Sequence, residues 1–221
     1  MPASFNLRDA LARYDPRKDP KVPKAKEERE RIRRLFPLEG WPAMRLEHYA
    51  IGQGGTADTF CRLVEVGSVN IGHWHGGTAR KFIIYKHGDK PGWYYPDGYA
   101  DVHQAWGVVR GAFVEALARA GAGKWEAIDD ISPLATAHML KIKTLYMYFP
   151  DELVTVLTKS RLQYFLTILG QSATAERVTG AIGLNRSLLS VLRGFPELKG
   201  WTTHEMSELL HVGSNFRKFP G

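Results

Sequence analysis

Hydrophobic residues recur at helical spacing most clearly between residues 102 and 120. Asp101 stands at the capping position before this segment, and Gly121 follows its last apolar residue. The apolar positions repeat at three and four residues: Val102, Ala105, Trp106, Val109, Phe113, Ala116, Leu117 and Ala120. The pattern predicts a long amphipathic helix that packs on the core.

Residues 41–99 have a different pattern, which indicates an antiparallel meander. Apolar and polar residues alternate in residues 59–66 (TFCRLVEV), and residues 81–86 (KFIIYK) are typical of a central strand. Two more segments predict strands: residues 143–149 (KTLYMYF), which stop at Pro150, and residues 153–157 (LVTVL). We therefore expect a twisted antiparallel sheet that carries the long helix.

Both ends of the chain predict further helices. Residues 24–35 (KAKEERERIRRL) carry opposite charges three and four positions apart, which is typical of a solvated helix. In the alternative reading of this helix, Arg29, Arg33 and Arg34 contact phosphates. Near the other end, helices are expected at residues 160–169, at residues 174–192 and after the capping box of Thr202 and Glu205.

Together these elements predict an α+β fold class with a C-terminal helical appendage. The expected division is a charged arm and helix at residues 1–35, an α+β recognition domain at residues 36–170 and a helical appendage or linker at residues 171–221.

Charge and cysteine content narrow the function classes. The chain has 30 Lys and Arg against 23 Asp and Glu, a net charge of +7, and the surplus lies before residue 41 and after residue 158. Such a surplus favours polyanionic partners. The single cysteine, Cys61, excludes an internal disulfide, and the sequence has neither a secretory signal nor an apolar run of membrane-spanning length. We expect a cytoplasmic protein with no membrane partner.

Common catalytic motifs are absent from the sequence, so we expect no cofactor and no enzymatic activity. There is no phosphate-binding loop, dinucleotide fingerprint, nucleophile elbow, C-x-x-C pair or H-E-x-x-H helix. One weak metal candidate exists, His73 and His75, because an H-x-H on a strand directs both imidazoles to one face. The alternative function is thus a metal-dependent phosphodiesterase, in which Asp97 or Asp101 binds the metal together with His73 and His75. A protein-interaction module docking a partner through residues 174–212 is the other alternative.

Aromatic and basic residues alternate through the middle of the chain in a way that suits nucleic acid. Rings offer flat faces on which bases stack, and cations neutralise the neighbouring phosphates. We expect about half of the rings in this region to lie in the core, and three near Pro and Gly, at residues 93–95, to form an exposed site where a flipped base would fit. The nucleic-acid-binding candidates are Trp74, Arg80, Lys81, Tyr85, Lys86, Lys90, Trp93, Tyr94 and Tyr95.

Three stretches resemble a known family: residues 76–85 (GGTARKFIIY), residues 145–170 (LYMYFPDELVTVLTKSRLQYFLTILG) and residues 184–206 (LNRSLLSVLRGFPELKGWTTHEM). Across residues 36–206 the chain is similar to the N-terminal region of McrB-type modification-dependent (type IV) restriction GTPases. The likeness rests on a pattern of hydrophobic residues and turns, not on a catalytic signature.

The resemblance implies a specificity module for phage defence. Such a module binds double-stranded DNA that carries a modified, typically methylated, base and draws that base into an aromatic-lined pocket, while a GTPase motor and a nuclease cut. This chain carries no GTPase motif, so we expect a recognition domain or a stand-alone relative. No pocket residue is carried over from the family.

Overall fold

The computed structural model describes residues 5–52, 58–72, 79–86 and 92–214, and these are almost entirely helical. The helices are α1 (Leu7–Arg13), α2 (Lys21–Leu35), α3 (Leu46–Tyr49), α4 (Phe60–Glu65), α5 (Val102–Gly121), α6 (His138–Tyr148), α7 (Lys159–Ile168), α8 (Ser172–Arg177), α9 (Ala181–Arg193) and α10 (Thr203–Gly213).

Short 3₁₀ turns connect these helices, and the described residues contain one two-stranded antiparallel hairpin. Its strands are β1 (Tyr85–Lys86) and β2 (Trp93–Tyr94). The 3₁₀ turns are Pro16–Lys18, Leu38–Ala43, Ala79–Phe82, Trp125–Ile128, Ser132–Leu134, Pro150–Glu152 and Pro196–Leu198.

The predicted α+β fold class is therefore wrong, and so is the twisted antiparallel sheet. In the segment 59–66, residues 60–65 form α4 instead of a strand, and in the segment 143–149, residues 143–148 lie in α6. Of residues 81–86, only the last two are in a strand, because the 3₁₀ turn Ala79–Phe82 occupies the beginning. The described part of the chain is essentially all-α.

Helix α6 was misread because it is buried on every side. Nine consecutive residues, 140–148, are buried, including Lys141 and Lys143. A helix without a solvent face has no 3.6-residue alternation of polar and apolar positions, and a short apolar run rich in aromatic residues then has the pattern of a buried strand.

Residues 153–157 are buried without belonging to a strand pair, and side chains supply their backbone bonds. Asn185 on α9 accepts the amide of Val154 at 2.8 Å and donates to the carbonyls of Val154 and Val156 at 2.9 and 3.2 Å. The hydroxyl of Ser207 on α10 accepts the amide of Thr155 at 2.9 Å. The predicted strand is therefore absent from this segment, and the helices α9 and α10 take the place of neighbouring strands.

Helices with an exposed face and a capping residue agree with the prediction. Helix α5 matches residues 102–120, and Asp101 accepts the amide of Gln104 at 2.8 Å as its N-cap. The predicted capping box of Thr202 and Glu205 begins α10. The single helix expected at residues 174–192 is two helices, α8 and α9.

The buried apolar residues form one cluster that extends from Ala10 to Leu210. Trp41 lies within it, with ring centroids 4.9 Å from Phe60 and 5.0 Å from Phe113. Cys61 is a free cysteine and is buried. None of the helices in the described ranges is long and apolar enough to cross a bilayer. The division into three segments stays a prediction.

Replacing Tyr148 with Phe should destabilise the fold by about 2 to 3 kcal/mol. The Tyr148 hydroxyl accepts the indole N–H of Trp41 and donates to the carbonyl of Phe36, both at 2.7 Å, so its removal leaves two buried polar groups without a partner. Urea unfolding would measure the loss. Tyr99→Phe is the control, because the Tyr99 hydroxyl has no hydrogen bond within the described residues; equal effects of the two substitutions would contradict the expectation.

Lys143 should make the stability of the protein depend on pH. Its ammonium donates to the carbonyls of Ser68 and Gly72 at 2.9 and 3.2 Å, and burial lowers its pKa from 10.5 to about 7, despite the opposing fields of Glu28 and Glu65. Between these two pH values the unfolded chain binds more protons than the folded one. The free energy of unfolding contributed by this group therefore rises with pH, by up to about 1.4 kcal/mol per unit.

The difference in unfolding free energy between the wild type and Lys143→Met should accordingly change between pH 7 and pH 10 in favour of the wild type. Chemical denaturation at four pH values measures it, with the exposed Lys124→Met as the control. A difference that stays constant over this range would show that Lys143 titrates as it does in the unfolded chain.

Candidate nucleic-acid interface

The base of the hairpin is fixed to the core. Phe82 and Ile84, which precede β1, are 1% and 0% exposed. The buried Tyr49 hydroxyl donates to the carbonyl of Phe82 at 2.7 Å. Ile83, between Phe82 and Ile84, has a φ of 68°. A β-branched residue rarely adopts this left-handed conformation, which persists only where the surroundings enforce it.

A second contact holds the hairpin from its other edge. The amide of Lys86 donates to the carbonyl of Ile51 at 3.0 Å. The next residue, Gly52, has a φ of +88°, and a Cβ placed on it would lie 1.9 Å from the carbonyl oxygen of Lys86. Only glycine permits this close approach. The hairpin strands are thus presented from a rigid base.

The register of the hairpin divides the predicted site between two faces. Tyr85 pairs with Tyr94, and Lys86 pairs with Trp93. Directly opposed residues of antiparallel strands share a face, and successive residues alternate between faces. Trp93 and Tyr94 therefore point to opposite sides and do not form one wall of a pocket.

The first face carries a stack of one cation and two rings. Tyr85 and Tyr94 have ring centroids 4.7 Å apart with an interplanar angle of 27°, and the guanidinium carbon of Arg80 lies 5.4 Å from the Tyr94 centroid. Tyr85 is 8% exposed and Tyr94 is 36% exposed. The buried ring supports the exposed one, and Arg80 is exposed beside it.

The second face is less accessible. The ammonium of Lys86 lies 6.0 Å from the Trp93 centroid. Trp93 is partly buried and packs against the hydrophobic core, as does Tyr95. These rings have a structural role as well as any contact with a ligand, whereas the sequence predicted that both would lie in an exposed site.

Lys81 is placed differently from the other cations. Its ammonium forms an ion pair with Glu65 on α4, and the two side chains are only 12% and 16% exposed. Lys81 and Glu65 are sixteen residues apart in the sequence, so the sequence pattern did not indicate this ion pair. A largely buried lysine with a carboxylate partner has little charge left for a phosphate.

Several of the predicted residues cannot be placed. Trp74 and Lys90, together with the metal candidates His73 and His75, lie outside the described residues. Of the carboxylates considered with that pair, Asp101 caps α5, and Asp97 is exposed. Within the described ranges, no group of three or more His, Cys, Asp or Glu side chains could hold a metal ion.

Comparison with known proteins gives no relative for this chain. No family model, no curated protein and no solved structure matches it.

Proposed function

We propose that this chain is a DNA-recognition module of a cytoplasmic restriction system that binds duplex DNA through the exposed face of the hairpin. The observation that carries the proposal is the stack of Arg80, Tyr94 and Tyr85. A half-exposed ring that is supported from behind and flanked by a cation has the properties of a base-stacking platform.

The two types of side chain have different tasks in this proposal. Tyr94 offers its ring to an unstacked base, and rigid support by Tyr85 lowers the entropy lost on binding. Arg80 forms no ion pair within the described residues, so its guanidinium is available to a phosphate beside the ring. Lys86 on the other face adds a further phosphate contact. The affinity then depends on salt, and the ring supplies the preference among bases.

The finer parts of the proposal come from the resemblance to McrB-type restriction GTPases. These parts are a modified target base, methylated in this scheme, that is flipped out of the duplex, and a separate GTPase motor and nuclease. In this scheme the chain itself catalyses nothing. It selects the DNA that the partners cut.

Two substitutions of Tyr94 should distinguish base stacking on the ring from contact with an apolar side chain that has no ring. Tyr94→Phe keeps the ring and should bind duplex DNA almost as the wild type does, whereas Tyr94→Leu should bind about tenfold more weakly, because stacking of one base on an aromatic side chain contributes about 1–3 kcal/mol. Fluorescence anisotropy measures the affinities on matched duplexes with cytosine, methylcytosine, hydroxymethylcytosine, adenine or methyladenine at one site. Equal affinity of the two variants, or no binding at low salt, would refute the proposal.

The three cations around the hairpin should differ in their effect on salt dependence. Arg80→Gln and Lys86→Gln should each reduce the slope of log K against log salt by about 1, because each removes one phosphate contact. Lys81→Gln should leave the slope unchanged, since Lys81 is paired with Glu65. Anisotropy titrations at four salt concentrations measure the slopes. A reduction of the slope in Lys81→Gln equal to that in Arg80→Gln would contradict this assignment.

A further inference from the structure

A cleft lies on another part of the molecule, and the proposed function does not use it. The turn Pro16–Lys18 and the first half of α2 line one side, and Tyr146, Pro150 and the start of α10 line the other. Its volume is about 620 Å³. Pockets that hold small organic ligands have volumes of about 300–1,000 Å³. No hairpin residue lines this cleft.

His204 is the first lining residue with unmet bonding capacity. His204 is only 4% exposed, and neither of its ring nitrogens has a hydrogen-bond partner within the described residues. Burial lowers the pKa of His204, while Asp19, Glu205 and Glu208 oppose this effect and Lys21 adds to it. The neutral imidazole then has one N–H donor and one acceptor without a partner, which is rare for a buried polar group.

Arg29 is the second lining residue with unmet bonding capacity. Its Nε is buried without a hydrogen-bond partner, and the guanidinium forms no ion pair in the described ranges. Two of the carboxylates that line the cleft bond to backbone amides: Glu205 accepts the amide of Thr202 at 2.6 Å, and Asp19 accepts the amide of Lys21 at 2.9 Å. Although Asp19, Asp151 and Glu205 line the cleft, none of them forms an ion pair with Arg29, so its guanidinium has no directly bonded anion among the described residues.

The remaining walls indicate the form of the ligand. Apolar surfaces come from prolines at 20, 23 and 150 together with Val22 and Ala25. Lys18 and Lys26 add exposed ammonium groups at the rim, where their nearest carboxylate oxygens are 3.8 and 4.0 Å away. An anionic group with an apolar, ring-sized body fits such a cleft better than a bare ion does.

We propose that this cleft binds a phosphate group carried by a nucleotide-sized organic body. The phosphate lies against Arg29, which donates a charge-assisted hydrogen bond, and against His204, which donates a second bond from its neutral ring. The body packs on the proline-lined wall. The source of the phosphate is a free nucleotide or the terminal phosphate of a DNA strand.

The test uses the full chain and adenosine 5′-monophosphate, with adenosine as the ligand that lacks phosphate. Calorimetry should detect the nucleotide and not adenosine. In NMR spectra, the nucleotide should shift the ring signals of His204, which are identified by their absence in His204→Gln. Arg29→Gln should weaken binding by about tenfold or more, the loss expected for one hydrogen bond to a charged group.

A matched control lies on the same helix. Arg33→Gln removes an exposed arginine that does not line the cleft and should leave nucleotide affinity unchanged. Arg29→Lys keeps the charge but loses the guanidinium geometry, so it should bind with intermediate affinity and serves as the second variant if Arg29→Gln unfolds. Equal affinities of Arg29→Gln and Arg33→Gln would overturn the proposal.

A 5′-phosphorylated oligonucleotide distinguishes the two sources. If it shifts the His204 signals and the free nucleotide does not, the cleft holds a DNA end; if the free nucleotide binds, the ligand is a small molecule. If neither shifts them, the proposal is wrong. Tyr94→Leu separates this result from the proposed function, because it should impair DNA binding through the hairpin and leave the affinity for adenosine 5′-monophosphate unchanged.

Discussion

Helix α6 is buried on all sides, so the ammonium groups of Lys141 and Lys143 must find their hydrogen-bond partners within the protein instead of in water. Lys141 is bonded to Asp129 at 2.8 Å, and the same carboxylate accepts the first amides of α9, from Ile182 and Gly183, at 3.0 to 3.1 Å. Burial alone would raise the pKa of Asp129, but the bonds from Lys141 and from these amides outweigh it and lower the pKa. One buried charge pair thus sets where α9 begins, although the position of such a pair specifies structure more than it adds net stability.

Lys143 extends the same constraint to the opposite side of α6. Its bonds to the carbonyls of Ser68 and Gly72 hold the turn after α4, and Gly72 approaches the carbonyl of Thr155 so closely that a Cβ would lie 2.6 Å from it. The backbone of residues 153–157 is in turn bonded by Asn185 and Ser207. Buried polar groups therefore connect α4, α6, α9 and α10, and each loses its partner if one helix shifts.

The sequence predicted correctly the helices that are marked by nearby residues, namely by a capping residue and an alternation of apolar and polar positions. Helix α5 has an exposed face and an Asp101 cap, and α10 has its capping box, so both were found within one or two residues. Helix α6 and residues 153–157 have no solvent face, and periodicity then carries no information about whether a buried segment is a helix or a strand. In the candidate site, pattern alone selected Arg80 and Tyr94, but the opposite faces of Trp93 and Tyr94 follow from a register that only the folded chain defines.

The distribution of charge shows why counting cations could not locate the site. Lys81 and Lys141 are basic residues in a basic protein, yet Glu65 and Asp129 already neutralise them. Arg29 and Arg80 have no ion-pair partner in the described part of the chain; Arg80 lies beside the exposed ring of Tyr94, and Arg29 lines the same cleft as the buried His204. For Arg29, whose Nε is buried without a hydrogen-bond partner, the missing anion costs stability unless a ligand supplies it, whereas water solvates the exposed guanidinium of Arg80. The local partners of each cation, rather than the net charge of +7, therefore guide the choice of the proposed phosphate contacts.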